Sequence, residues 1–259
     1  MKLLLITFSL FTVSCSLFTS KKEDKKSKSV NLSTYNALTP KDFVEHLQAF
    51  ESFYLNSENA ELYRLTKKEE RFLEAIANDI TKNNELFFTS GKQPSFKVVK
   101  HPAPFHFSLP GLKVFISSGL VSKYIKNEKI LYSVIAYELI RSEKNIYRKS
   151  LIVPTGHLTT SRILGLMRLK TIDKVEIHKW AFYTLKRVGI DPDIYLSWLQ
   201  IQNRNSLDFA VQLGDTSSIS REESLFKAFL IEQSNAKSNQ TKYERSSRDF
   251  YSFVNRLKR

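Results

Sequence analysis

The chain has 259 residues, of which 42% are hydrophobic and 25% are charged, so it is long and apolar enough to form a single domain with a sizeable core. Cys15 is its only cysteine, which excludes a fold held together by disulfide bonds within the chain. The formal net charge of +14 at pH 7 would suit a nucleic-acid-binding protein, but lysine and arginine are spread along the whole chain and no motif for base recognition is present. Nucleic acid is therefore not an expected partner.

Residues 1–14 have the layout of a secretory signal peptide. Lys2 is followed by a short, mostly apolar stretch, and the small residue Ser14 precedes Cys15. The stretch would span roughly 16 Å as a helix, well short of the roughly 30 Å hydrocarbon core of a bilayer. A small residue directly before a cysteine is the site that a lipoprotein signal peptidase cuts once the thiol carries a lipid. We therefore expect a lipid such as palmitate on Cys15. The alternative is an ordinary secreted protein in which Cys15 is removed or unused.

The segment from Lys21 to Ser29 is charged and lacks large apolar side chains, so it cannot build a core. We interpret residues 15–36 as a lipid anchor with a flexible tether, and residues 37–259 as one domain. The expected location is the bacterial cell envelope, on the outer membrane facing the periplasm. There a basic surface would meet anionic lipid head groups, although the charge could equally serve solubility alone.

Hydrophobic periodicity predicts a mostly helical domain. A helix should start at Thr39 and Pro40, a capping hydroxyl and a proline at the first helical position. Further helices are predicted over about 67–83, 127–147, 159–169, 173–188, 192–203, 220–233 and 240–257. Aromatic and β-branched residues interrupted by proline and glycine predict strands within 96–100 and 105–117. The fold class is therefore α+β, with a small sheet ahead of a central, largely buried helix.

The last helix places four apolar residues on one face, beside several arginines. This pattern fits either packing within the domain or contact with a lipid surface. The apolar residues are Phe250, Phe253, Val254 and Leu257.

The segment from Phe107 to Ser142 resembles the core of the zinc metallopeptidases that include the CAAX prenyl proteases and the HtpX-type and BepA-type envelope proteases. Ser108–Gly111 is similar to the family's turn before its edge strand, and Ala136–Leu139 stands where the family has A-H-E-L. A second segment, Phe182 to Leu199, resembles a later helix, turn and helix of the family. The resemblance implies a metallopeptidase-like fold over about 105–200. It also implies an edge strand that holds polypeptides by strand addition, formed by Lys113, Val114, Phe115, Ile116 and Ser117.

The same resemblance implies that the zinc site is lost. In active members, two histidines one helical turn apart bind zinc and the glutamate beside the first is the general base. Tyr137 and Arg141 occupy the two histidine positions here, Glu138 remains as a relic of the base, and Lys174 occupies the position of the third ligand. Nearby Glu176 lies about 200° around the helix from Lys174 and would face away. No cofactor is therefore expected, and the protein is expected to be a pseudoenzyme.

Glu138 needs a partner if it stays buried without a metal, because an uncompensated buried carboxylate is costly. We expect Arg141, three residues later on the same helix, and Lys174, across the former cleft, to substitute electrostatically for zinc. The alternative is that Glu138 and Arg141 form an exposed pair worth a few tenths of a kcal/mol.

Three functions remain open from the sequence. The first is a non-catalytic, membrane-anchored protein that binds envelope polypeptides. The second is an active zinc metalloendopeptidase with a non-standard metal site. The third is a scaffold that keeps only the fold.

Overall fold

A computed structural model describes residues 40–57, 60–148, 158–233 and 245–258. Pro40–Arg259 forms one compact unit. The predictions for Cys15, the signal peptide and the tether concern positions outside the described residues. Within the described ranges, no helix combines the length and the apolar character needed to cross a membrane.

The described elements confirm the predicted α+β class, with helices predominating. In chain order they are α1 (Pro40–Leu55), β1 (Leu62–Tyr63), α2 (Lys67–Lys82), β2 (Ser95–Val99), β3 (His106–Leu109), β4 (Lys113–Ser117), α3 (Ser118–Lys123), α4 (Glu128–Glu143), α5 (Thr160–Met167), α6 (Thr171–Val188), α7 (Asp193–Arg204), α8 (Ser206–Leu213), α9 (Thr216–Gln233) and α10 (Arg248–Leu257). The short helix α8 was not predicted.

The four strands form one mixed sheet in the order β1-β2-β4-β3. Strand β4 pairs in parallel with β2 and antiparallel with β3, so it lies inside the sheet. This corrects the prediction that Lys113–Ser117 is an edge strand. The strand has the predicted bounds, but β3 folds back through the turn after Leu109 and covers the side that was expected to be free.

Successive side chains of a strand point to opposite faces of a sheet. Here both faces are covered by other elements and are buried. Val98, Val114 and Ile116 belong to the larger core with α2 and α4. Phe107 and Phe115 belong to a second core, together with side chains of α1 and α5. The sheet therefore separates two cores, and the polar residues of β3 that alternate with Phe107 face the α4 side.

Helix α4 is the central helix, as the sequence predicted. The side chain of Asn127 accepts a hydrogen bond from the backbone N–H of Ile130 and caps its first turn, and nearly every residue from Ile130 to Ser142 is buried. A helix buried on all sides can hold a polar side chain only if its neighbours supply partners. Those partners come from β3, from the end of α5 and from the segment just after α4.

Helix α6 ends at a glycine, and helix α10 packs inside the domain. Gly189 follows α6 in the left-handed conformation with φ of 82°, as expected of a glycine that ends a helix. On α10, Phe250, Phe253, Val254 and Leu257 are all buried. The ring of Phe253 lies 5.8 Å from that of Phe72 on α2. The apolar face of the last helix therefore packs within the domain, and the alternative of a lipid-facing helix is wrong.

Candidate functional site

The structure brings together the four positions that the resemblance singled out. Tyr137, Glu138 and Arg141 lie on α4, and Lys174 lies on the facing helix α6. All four side chains are buried, and Glu138 is 0% exposed. The alternative of an exposed pair between Glu138 and Arg141 is therefore excluded.

Glu138 is held by one imidazole and one guanidinium. His106 on β3 lies with Nδ1 2.5 Å from Glu138 Oε1, and Arg141 Nη1 lies 3.7 Å from Oε2. Burial alone would raise the pKa of Glu138, but the hydrogen bond from His106 and the charge of Arg141 outweigh it and hold that pKa below its ordinary value. Glu138 is therefore ionised, and the Nδ1–H of His106 donates to it.

The Arg141 guanidinium also holds two chain segments together. It donates to the carbonyl oxygen of Met167 at the end of α5 and, at 3.4 Å, to that of Ile146 just after α4. Its guanidinium carbon lies 5.1 Å from the centre of the Tyr147 ring. Arg141 therefore joins Glu138 to the segments on either side of the gap in the described chain.

Lys174 has a different partner from the one predicted. Its ammonium group donates to Glu222 on α9 and, at 3.4 Å, to the carbonyl oxygen of Leu213. The carboxylate with which Lys174 pairs is therefore Glu222 and not Glu138. The prediction that Arg141 and Lys174 share Glu138 is thus wrong for Lys174. A second buried carboxylate, contributed by a helix far along the chain, provides the nearer counter-charge.

Glu222 is at the centre of a second polar cluster. His178 Nε2 lies 2.5 Å from Glu222 Oε1, and His178 Nδ1 lies 2.7 Å from the Tyr195 hydroxyl. Burial lowers the pKa of His178 and keeps its ring neutral, so Nε2–H donates to Glu222 and Nδ1 accepts from Tyr195. Burial would raise the pKa of Glu222, but His178 and the charge of Lys174 lower it. Both oxygens of Glu222 are therefore satisfied.

Tyr137 lies between the two clusters. The centre of its ring is 5.7 Å from that of His106 and 5.2 Å from that of His178. Burial raises its pKa well above the ordinary value, so the phenol stays neutral. The aromatic ring thus lies between the two histidines that bind the carboxylates of Glu138 and Glu222.

The Glu138 cluster keeps unmet hydrogen-bonding capacity. Four buried atoms in this region have no hydrogen-bond partner among the described residues: His106 Nε2, Ser108 Oγ, Glu138 Oε2 and the Tyr147 hydroxyl. Next to it lies a cavity of about 20 Å³, room for one water molecule. The polar side chains lining it are His106, Tyr137, Arg141, Arg168, Lys174 and Gln212.

Strand β3 is the edge of the sheet on this side, and the side chain of Gln212 bonds to part of its backbone. The pairing of Phe107 with Phe115 turns the backbone groups of His106 and Ser108 away from β4. The Gln212 amide on α8 accepts from the backbone N–H of His106 at 3.1 Å and donates to the carbonyl oxygen of the same residue. Gln212 therefore makes the two hydrogen bonds that an added strand would make at this position.

The donor set does not suit a zinc ion. Zinc in proteins takes thiolate, imidazole or carboxylate ligands, whereas Tyr137, Arg141 and Lys174 supply a phenol and two cations. Across the described ranges, no group of three or more His, Cys, Asp or Glu side chains could hold a metal ion. Glu176 is exposed and pairs with Lys179 at 2.8 Å, so it faces away from this centre as expected.

Sequence reasoning missed His106, Gln212 and Glu222. For His106 a signal was present, since His106 and Ser108 alternate with Phe107 and Leu109 and so share the face opposite those apolar side chains. For Gln212 and Glu222 no local pattern exists, because their partners are 106 and 48 positions away in the chain.

No protein-family model and no curated protein sequence matches the chain.

Proposed function

We propose that this chain is a lipid-anchored protein of the bacterial envelope whose peptidase-like domain has lost catalysis and serves as a scaffold or polypeptide-binding protein. One observation supports this most directly. Glu138, at the position of the general base, is fully buried, hydrogen-bonded to His106 and paired with the charge of Arg141, both from the chain itself.

Charge at the centre supports the same proposal. A general base needs a reachable water or substrate proton, but Glu138 is engaged by His106 and enclosed by the core. A divalent cation entering the cavity would face Arg141 and Lys174, which lie at two of the former ligand positions and line the cavity. Like-charge repulsion therefore opposes metal entry.

The sheet edge favours a scaffold over strand addition. Strand β4 has no free edge, because β2 and β3 pair with it on both sides. The edge of β3 is buried, and Gln212 occupies its groups at His106. A polypeptide could add to β3 only by displacing Gln212, so binding of partners is better supported at the outer surface of the domain.

Metal content and proteolysis test the loss of catalysis. The chain from Ser16 onward is purified, its bound metal is measured, and cleavage of unfolded protein is assayed with and without added zinc. We expect no stoichiometric zinc and no cleavage. Stoichiometric zinc together with cleavage that Glu138→Gln abolishes would establish the active metalloendopeptidase instead.

Membrane fractionation tests the anchor. The full chain expressed in a bacterial host is expected in the membrane fraction, with the mass of a diacyl or triacyl lipid at the N-terminal cysteine. The Cys15→Ser variant should lose both the lipid mass and the membrane association. Unchanged lipid-free protein in the soluble periplasmic fraction, with or without Cys15, would contradict the proposal.

A further inference from the structure

Five apolar side chains form a surface on the outside of α6 and the segment after α2; three of them are exposed, and Phe87 and Phe88 are half-buried. We call this surface the aromatic patch; its members are Leu86, Phe87, Phe88, Trp180 and Tyr183. Leu86 is 93% exposed, Trp180 48% and Tyr183 36%. Trp180 and Tyr183 are three residues apart on α6 and so share one helix face.

Ring contacts hold the patch in place from below. The Phe87 ring lies 5.2 Å from the Phe88 ring and 5.2 Å from that of Trp180, and the Tyr183 ring lies 5.8 Å from Phe229 on α9. The side-chain amide of Asn84 donates to the carbonyl oxygens of Ile80 and, at 3.3 Å, Thr184, which fastens the segment after α2 to α6. Leu86 is therefore presented outward by a braced segment.

Lysine side chains flank the aromatic rings. Lys144 Nζ lies 4.1 Å from the centre of the Phe87 ring and donates to the carbonyl oxygen of Phe87 at 3.1 Å. Lys179 Nζ lies 5.8 Å from the centre of the Phe229 ring. Lys186 and Arg187 are exposed at the end of α6 beyond Tyr183. Three carboxylates lie in the same segments as these cations. Glu176 pairs with Lys179, and Glu143 accepts from the backbone N–H groups of Thr89 and Ser90. Glu85 is exposed.

We infer that the aromatic patch binds the surface of an anionic lipid bilayer. Trp and Tyr rings favour the boundary between head groups and acyl chains, where flanking lysines can extend to lipid phosphates. Leu86 is almost fully exposed, so its side chain is free to enter the acyl region beside these rings. This inference goes beyond the proposed function, since the patch would orient the domain on the membrane whether or not Cys15 carries a lipid.

Tryptophan fluorescence provides a direct test. The chain contains two tryptophans, and Trp198 is 1% exposed, so a change on binding reports on Trp180. The compact unit Pro40–Arg259, which has its own core and lacks the basic tether, is titrated with vesicles of phosphatidylglycerol and phosphatidylcholine. We expect a blue shift of emission, quenching by brominated acyl chains, and much weaker binding to phosphatidylcholine alone.

Leu86→Ser is the variant for this test, and Leu207→Ser on α8 is its matched control, because Leu207 is 83% exposed and lies outside the patch. We expect Leu86→Ser to weaken vesicle binding about tenfold or more, as for a leucine side chain returned to water, and Leu207→Ser to leave it unchanged. Circular dichroism melts verify that both variants fold. Equal binding by the two variants, or no binding to anionic vesicles, would overturn the inference. So would a dimer in sedimentation that Leu86→Ser dissolves, which would assign the patch to a second copy of the chain.

Discussion

The domain buries Glu138 on one side of Tyr137 and Glu222 on the other. The hydrogen-bonding capacity of the two carboxylates is filled to different degrees. Glu222 has a partner for each oxygen, His178 for one and Lys174 for the other. Glu138 has His106 on one oxygen, while the other is 3.7 Å from Arg141. The Ser108 hydroxyl also lowers the pKa of Glu138, but within the described part of the chain it does not reach the geometry of a full hydrogen bond to that second oxygen. The Glu222 cluster is therefore a complete structural ion pair, and the Glu138 cluster is an incomplete one.

The difference bears on the stability of each cluster. A structural carboxylate is expected to have its acceptors filled, because an unsatisfied buried oxygen lowers stability. Glu138 falls short of this, whereas Glu222 does not.

The largest effect should come from Glu222→Gln. Lys174 would then remain buried beside an uncharged amide, and breaking a buried ion pair from one side costs about 3–5 kcal/mol. Urea unfolding followed by circular dichroism measures the loss. The double variant Lys174→Met, Glu222→Leu is the control, and it should recover part of the stability, because no unpaired charge remains although His178 Nε2–H loses its acceptor. A loss below about 1 kcal/mol for Glu222→Gln would show that this cluster is not a tight ion pair.

A smaller loss is expected for Glu138→Gln. The amide can still accept from His106, but Arg141 loses the carboxylate beside it, so we expect a decrease of about 2–3 kcal/mol in the free energy of unfolding. Glu176→Gln, an exposed change on α6, provides the baseline. If Glu138→Gln costs well under 1 kcal/mol, the interpretation of a buried compensating network fails.

Gln212→Ala should cost about 1–2 kcal/mol, because it leaves the backbone N–H and C=O of His106 without their side-chain partner. The same variant distinguishes partner binding at the outer surface from strand addition to β3. Crosslinking to envelope proteins should be unchanged if partners use the outer surface. A gain of bound extended peptide in this variant, measured by fluorescence anisotropy, would instead indicate that β3 can accept a strand once Gln212 is removed.

The smallest expected change in stability is the one that follows pH. The folded-state pKa of His178 lies below its ordinary 6.5, so the unfolded chain takes up that proton first and stability falls as the pH drops below 6.5. The pKa values of Glu138 and Glu222 lie below 4.5, which adds a further loss as the pH passes below that value. Melting temperatures between pH 7.5 and about 3 should show both phases. In His178→Gln the upper phase should shrink, and an unchanged profile there would contradict the assignment of a neutral His178.

Much of the fold could be predicted because its signals are local. Asn127 caps α4, the apolar residues of that helix leave no polar face, and Gly189 ends α6, all within a few residues of the feature they determine. The strand Lys113–Ser117 was also found with its correct bounds. Its place inside the sheet was missed, since strand order depends on which segment folds back beside it, and that choice is made by the turn after Leu109 and by the packing of β3 on α4.

By itself, the sequence determined the α+β class, the buried central helix and the presence of Tyr137, Glu138 and Arg141 along it. Only the tertiary structure decided which partner each buried carboxylate takes. Lys174 meets Glu222 and Glu138 meets His106, because helices α4, α6 and α9 and strand β3 converge on one buried volume. The physical reason is distance along the chain: periodicity reports which face of an element is buried, whereas the identity of an ion's partner depends on contacts between segments that no local pattern links.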